Sequence, residues 1–314
     1  MAPRVAVVGP GAVGRRVAEH LAGSAEVVVV ARRPGKWERS VNELALALPA
    51  DVTVLTASEG ARRSAMAAID SGSHVVSPLD DPVEVAGLLA LDARARAKGV
   101  TVAAGTAMAP GLSCVLALRL AEDFDRVEEV HVASFGTGGP ACARRHHAAL
   151  TGLSVDWVDG RWVRRPGGSG RELVWFPEPV GGADCYRVSA ADSMLLQPRF
   201  PDCRRITSRM AATRRDRLTS WLPMMRQPHP EGLVGAVRVE VRGWVGSCAT
   251  TRILGAARPP AVVAAAVSAT TARWLLEGRI TTAGAGGLAS LVAAPGEFIL
   301  DTGVPVASFE GAAV

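Results

Sequence analysis

At 314 residues, with 48% hydrophobic content and a mean hydropathy of +0.20, the chain has ample material for a buried core and is expected to form a compact protein of two domains. Its formal charge of +5 and pI near 9.3 do not argue for nucleic acid: the excess is modest, acidic residues are interspersed with basic ones, and only Lys36 and Lys98 are lysines. Five scattered cysteines (Cys114, Cys142, Cys185, Cys203 and Cys248) form no C-x-x-C pair, so reduced core thiols are expected, with no metal site.

The first hundred residues alternate β-branched runs with helical patterns. VAVV (5–8), EVVVVA (26–31), DVTVLT (51–56), SHVVS (73–77) and GVTVAA (99–104) read as strands bounded by Gly, Asp or Ser. Between them GAVGRRVAEHLAG, WERSVNELALAL, SEGARRSAMAAIDSG and PVEVAGLLALDARARAKG carry apolar residues at helical spacing. This alternation predicts an α/β, doubly wound parallel sheet of Rossmann type, and the nearly all-apolar second strand fits burial on both faces.

A helix is expected to open at Pro110, followed by a strand in DRVEEVHVASFGT (125–137). From about 140 the rhythm changes to a Pro-, Gly- and Trp-rich stretch with short strand-like pieces, in which RRPGGSGRE (164–172) reads as a hairpin loop. GAVRVEVRGWV and SCATTRILGAA (235–257) form the clearest β pair, and an alanine-rich helix follows from Pro260 to Gly278. The expected organisation is a dinucleotide-binding domain over 1–124, a mixed α/β substrate domain over 125–258, and a C-terminal helix and tail over 259–314 returning to the first domain. The first strand starts by Arg4, and Ser268, Thr270, Thr271 and Arg273 interrupt the alanine-rich segment, so neither a leader nor a membrane span is expected and the protein is read as cytoplasmic.

GPGAVG at 9–14 is a full G-x-G-x-x-G placed after a strand and opening a helix. Gly9 permits the tight turn, Gly11 lets a diphosphate approach the backbone beside Ala12 and Val13, and Gly14 lets helix and strand pack closely. After the second strand, where an NAD-preferring site usually places a carboxylate, stand Arg32 and Arg33, with Lys36 beyond. A guanidinium there suits a 2'-phosphate, so the expected cofactor is NADP(H).

The glycine fingerprint, HVVSPLDDP (74–82), GTAMAPGLSCVLA (105–117) and RVEVRGWVG with ILGAARPPAVVAAAVSATTARWLLEG together resemble the saccharopine dehydrogenase-like oxidoreductases of the saccharopine reductase type. The resemblance implies a nicotinamide-binding domain, a substrate domain inserted before the final helices, and hydride transfer at a carbon bearing nitrogen. It also suggests a homodimer, supported by the apolar β pair, with a small-molecule substrate. Some members of the broad family are enoyl reductases, and a non-catalytic NADP(H)-binding regulator is the alternative from another class.

Ligands of a doubly wound sheet lie beyond the carboxyl ends of its strands. Ser58 and Pro78 are therefore expected to line the cofactor, and Asp80 or Asp81 to contact carboxamide or substrate, or only to cap the next helix. Gly111 opens a helix whose amides could hold a substrate carboxylate. In FGTGGPACARRHHAAL (135–150), Gly138 and Gly139 offer a nest of amides, and Arg144 and His146 are candidate substrate contacts. His147, on the helical face of Arg144, is the first candidate for general acid, and Tyr186, the single tyrosine, the second. Asp184, Arg187 and Asp192 add candidate contacts around that strand.

Overall fold

The computed structural model describes residues 2–31, 40–57, 60–224, 227–230 and 232–309. The chain starts with β1 (Arg4–Val8), α1 (Ala12–Leu21), β2 (Glu26–Val30), β3 (Ser40–Val41), β4 (Val52–Leu55), α2 (Ala61–Asp70), β5 (His74–Ser77), α3 (Pro82–Leu89), α4 (Asp92–Lys98), β6 (Thr101–Ala104) and α5 (Leu112–Ala121). The middle holds β7 (Arg126–Phe135), α6 (Pro140–Ala149), β8 (Leu153–Val158), β9 (Arg161–Pro166), β10 (Glu172–Phe176), β11 (Gly181–Arg187), α7 (Asp192–Leu196), β12 (Arg205–Ala211), α8 (Arg214–Thr219), β13 (Ala236–Val245) and β14 (Cys248–Ala257). Last come α9 (Pro260–Leu276), β15 (Gly284–Gly287), α10 (Leu288–Leu291), α11 (Pro295–Thr302) and β16 (Ala307–Phe309).

Seven strands form one sheet in the order β15-β6-β5-β4-β1-β2-β3, every neighbouring pair parallel. This is the doubly wound sheet expected from the alternating pattern. A second, mixed sheet runs β10-β11-β12-β7-β13-β14-β16, with the β8–β9 hairpin attached through β12. One core joins the two sheets: Val130 and Val132 of β7 and Val237, Val239 and Val241 of β13 pack in the same apolar cluster as Val5, Val54 and the helices α5 and α9. Each half thus buries its apolar face against helices that also serve the other.

Three local expectations change. The pattern WERSVNELALAL does not give a helix over its described residues; Ser40–Val41 adds an edge strand and Leu44–Leu46 a short 3-10 turn. The single long helix expected over 82–99 is two, α3 ending at Leu89 and α4 starting at Asp92. The loop 164–172 is not a hairpin, because β9 pairs only with β8 and β10 with β11; it carries the chain from the hairpin to the sheet edge.

Asp192 opens α7 beneath the junction of the two sheets, 1% exposed, where it accepts hydrogen bonds from Ser113 Oγ at 2.7 Å and Ser208 Oγ at 3.4 Å. Loss of hydration pushes its carboxyl up to about 6 against the ordinary 3.8, although the two hydroxyls partly offset this. A carboxyl raised in the folded state favours folding below its unfolded value and loses that contribution as pH rises through its folded value. Asp192→Asn, which keeps both partners, is therefore expected to be less affected than the parent between pH 4 and 7. Urea unfolding across that range should show the variant gaining about 3 kcal/mol relative to the parent by neutral pH; an unchanged difference between the two at all pH values would contradict the assignment.

Candidate active site

At the carboxyl end of the parallel sheet, the turn after β1 is shaped by two contacts. Gly9 has φ of +101°, and a Cβ on Gly14 would lie 1.9 Å from the Gly9 carbonyl oxygen, so the first turn of α1 sits directly on the end of β1. Thr56 Oγ1 donates to the carbonyls of Val8 at 2.9 Å and Gly9 at 2.7 Å, tying the turn to the neighbouring strand. The amino end of α1 has no side-chain cap and no acidic residue in its first turn. Its first backbone N–H groups lack intrahelical partners, and the helix dipole adds partial positive charge there. A Cβ on Gly11 would meet nothing within 4 Å. The turn therefore leaves open the approach that a diphosphate needs, and its residues fit a dinucleotide.

This turn forms one wall of a cleft of about 1190 Å³ between the two sheets. Gly9, Gly11, Ala12, Val13, Gly14 and Pro78 all line it. Gly138 and Gly139 line the opposite side, at the start of α6. Gly111 does not: it caps α5 with φ of +136°, closed against the backbone of Ala107, while Ala107, Met108 and Ala109 reach the cleft instead. Arg32, Arg33 and Ser58 lie outside the described residues.

The two aspartates after β5 divide the alternatives between them. Asp81 caps α3, accepting from the amides of Val83 at 2.9 Å and Glu84 at 3.2 Å. Asp80 turns to the second sheet, where it forms an ion pair with Arg145 and a 3.1 Å contact with Nε2 of His146. Cys142, one turn before His146 on α6, places its Sγ 3.5 Å from the same nitrogen. Although burial acts against charge on His146, the Cys142 thiolate and Asp80 raise it to about 10. Burial likewise opposes the Cys142 thiolate, but His146 brings its pKa below the ordinary 9.0. Each thus favours the charged form of the other, thiolate beside imidazolium, at the cleft wall. Arg144 also lines the cleft, is exposed, and makes no ion pair among the described residues.

Neither expected proton donor reaches this site. His147 lies on the other side of α6, its Nε2 3.0 Å from the carbonyl of Leu222. Tyr186 is 1% exposed among Leu150, Val188 and Met210, with Arg217 over its ring. Four consecutive polar residues on α6 give no periodicity that shows which of them face the cleft; Arg144, Arg145 and His146 line it and His147 does not. Asp184, Arg187 and Asp192 are not gathered either: they pair with Arg171, Asp156 and Ser113 respectively. Cys142 and Arg145 were missed. The i, i+3, i+4 spacing of Cys142, Arg145 and His146 was the available signal.

No protein-family model matches the chain, and no curated protein matches its sequence. Among solved structures it is similar to the apo saccharopine dehydrogenase (L-Glu forming) of Saccharomyces cerevisiae, with 14% identity and a TM-score of 0.72 over 98% of this chain and 100% of that one. The chain has the fold of that dehydrogenase. It is also similar to the DAP dehydrogenase of C. glutamicum in complex with DAP (16% identity, TM-score 0.51, 93% of this chain and 94% of that one). An engineered D-amino acid dehydrogenase bound to NADP+ matches with 15% identity and a TM-score of 0.51, over 93% of this chain and 95% of that one. Among the described residues, no helix is long and apolar enough to cross a membrane.

The thiolate assignment predicts a reactivity pattern resolved by peptide mass spectrometry after iodoacetamide treatment. Cys114, Cys185 and Cys203, each pushed up to about 12 by burial, should stay unmodified, whereas Cys142 should react with a midpoint below pH 9. In His146→Gln the rate at Cys142 near pH 7 should fall about tenfold, as expected for a thiol returned to its ordinary range. An unchanged rate would show that His146 does not hold the thiolate.

Proposed function

We propose that the protein is an NADPH-dependent reductase that delivers a hydride to an imine or carbonyl carbon of a small, carboxylate-bearing molecule. The observation that carries this reading is the continuity of the cleft: Gly11 at the bare helix terminus and Asp80, Arg144 and His146 line one cavity. One cavity therefore offers an anion-binding backbone at one end and paired charges with a mobile proton at the other. Such proximity lets two bound partners react as one unit.

Each group of the chain has a defined task in this reading. Amides at the start of α1 hold the diphosphate, with Gly11 leaving the approach open. Arg32 and Arg33 follow Ala31, which lines the cleft at the end of β2, and they are proposed to grip the 2'-phosphate. When bound, the nicotinamide supplies the hydride. Arg144, which has no carboxylate partner among the described residues, receives the carboxylate of the substrate. Arg145 and Asp80 neutralise each other and fix His146, so the proton shared by its Nε2 and Cys142 Sγ stays available to the reduced oxygen or nitrogen. A substrate entering as an iminium needs no such proton.

The dehydrogenases of similar fold named above act on saccharopine, DAP or D-amino acids by their names, and one was solved with NADP+. That supports amino-acid-like chemistry at this site. The charged end at Asp80, Arg144 and Arg145 also favours a polar C=N or C=O group over an unactivated C=C bond.

Fluorescence titration with NADPH and NADH tests the cofactor assignment. The parent should bind NADPH at least about tenfold more tightly, the scale of one charge-assisted phosphate contact, and Arg32→Ala should remove most of that preference while leaving NADH affinity unchanged. Equal affinities in the parent, or a preference that survives the substitution, would overturn it.

A further inference from the structure

On the face of the second sheet turned away from the shared core lies a separate pocket of about 330 Å³. The β register explains its chemistry. Arg187 of β11 stands directly opposite Arg209 of β12, which pairs with Ala133 of β7, which pairs with Arg238 of β13. Three guanidinium groups thus lie in one row across four strands, with the small Ala133 leaving a hollow between them. Like charges placed directly opposite in a sheet are destabilising.

Arg165, Arg205 and Arg242 complete a lining of six arginines. The carboxylates in the wall are Asp156, Glu172 and Glu240. Glu172 pairs with Arg209 at 2.7 Å, and Glu240 is shared between Arg238 at 2.6 Å and Arg242 at 2.5 Å. Among the described residues Arg187 forms an ion pair with Asp156 alone, at 3.9 Å. Burial and the positive charges of Arg209 and Arg165 make the cationic form of Arg187 less favourable than usual, and burial raises Asp156, weakening its nearest counter-charge. The side chains of Arg187, Arg209 and Arg238 are only 21%, 17% and 18% exposed, so water screens them poorly.

We propose that this pocket binds a small polyanion, carrying two or more negatively charged oxygens, at a site distinct from the reductase cleft. Its charge supplies the close acceptor that Arg187 lacks, and adds acceptors for the N–H groups of Arg209 and Arg238 beyond those bonded to Glu172, Gly170 and Glu240. Residues of β8, β9 and β10 line the pocket together with those of β7, β11, β12 and β13. Binding there therefore ties the hairpin and the edge strands to β7 and β13, the strands whose other face packs on α5.

Inorganic pyrophosphate is the probe, titrated calorimetrically at constant ionic strength. Because the turn at α1 is itself read as a diphosphate site, the arginine substitutions are made on a Gly11→Val background and the parent is run beside them. Gly11→Val should retain a pyrophosphate site, and Arg187→Gln/Arg238→Gln on that background should weaken it about tenfold or more. Arg165→Gln, a change on an exposed strand, should weaken binding severalfold and keeps the test standing if the double variant does not fold. No binding to Gly11→Val, or equal binding after the arginine substitutions, would overturn the proposal. A second site present in the parent and absent from Gly11→Val reports on the cofactor turn alone, so the two assignments are separable.

Discussion

The architecture depends on how closely the backbone of α1 approaches the end of β1. With a Cβ at Gly14 the helix would have to move away from the Gly9 carbonyl oxygen, which lies 1.9 Å from the position that carbon would take. Because neither position carries a side chain in the way, the helix axis points its amino end into the space between the sheets. Thr56 then ties this turn to β4. Everything proposed for the cleft follows from that orientation: a terminus displaced outward would present its amides to water, and the cavity would keep its charged end but lose its anion-binding one.

The second half of the molecule supplies what the first lacks. A parallel sheet ends in loops, and loops alone make a shallow site. Here β7 passes beneath the cleft and leads through Gly138 and Gly139 into α6, which lowers Cys142, Arg145 and His146 onto Asp80 from the opposite side. The ion pair therefore has a structural consequence beyond its charge, since it links the loop after β5 to a helix of the other sheet. Its burial also explains why an imidazole and a thiol, each unfavourable as an ion in a dry setting, stabilise each other in the charged forms.

Much of the first half was legible because burial on both sides of a parallel strand leaves long apolar runs, and the glycine turn has a spacing with a mechanical cause. The Val runs of β1 and β2 and the Gly9–Gly14 fingerprint illustrate this. The division of α3 from α4 was hidden because Leu88 and Leu91 are both buried and keep a helical spacing through the break. The charged end of the cleft was legible only in part. Asp80 was placed at the right loop, but whether it or Asp81 capped the helix is decided by Arg145 and His146, 65 and 66 residues away in sequence. Tyr186 looked chemically useful because it is the chain's single tyrosine, yet its strand turns it into the core. The arginine row of the second sheet was invisible for the same reason: its members meet only through strand register.

We propose that one dinucleotide lies along this cleft with its diphosphate on α1 and its reactive ring near Asp80 and His146. A crystal structure of the protein with NADPH tests this most directly. Diphosphate oxygens are expected against the amides beside Gly11, and the nicotinamide in the part of the cleft lined by Asp80, Met108 and His146. A dinucleotide bound elsewhere, or one whose nicotinamide lies outside that cleft, would contradict it.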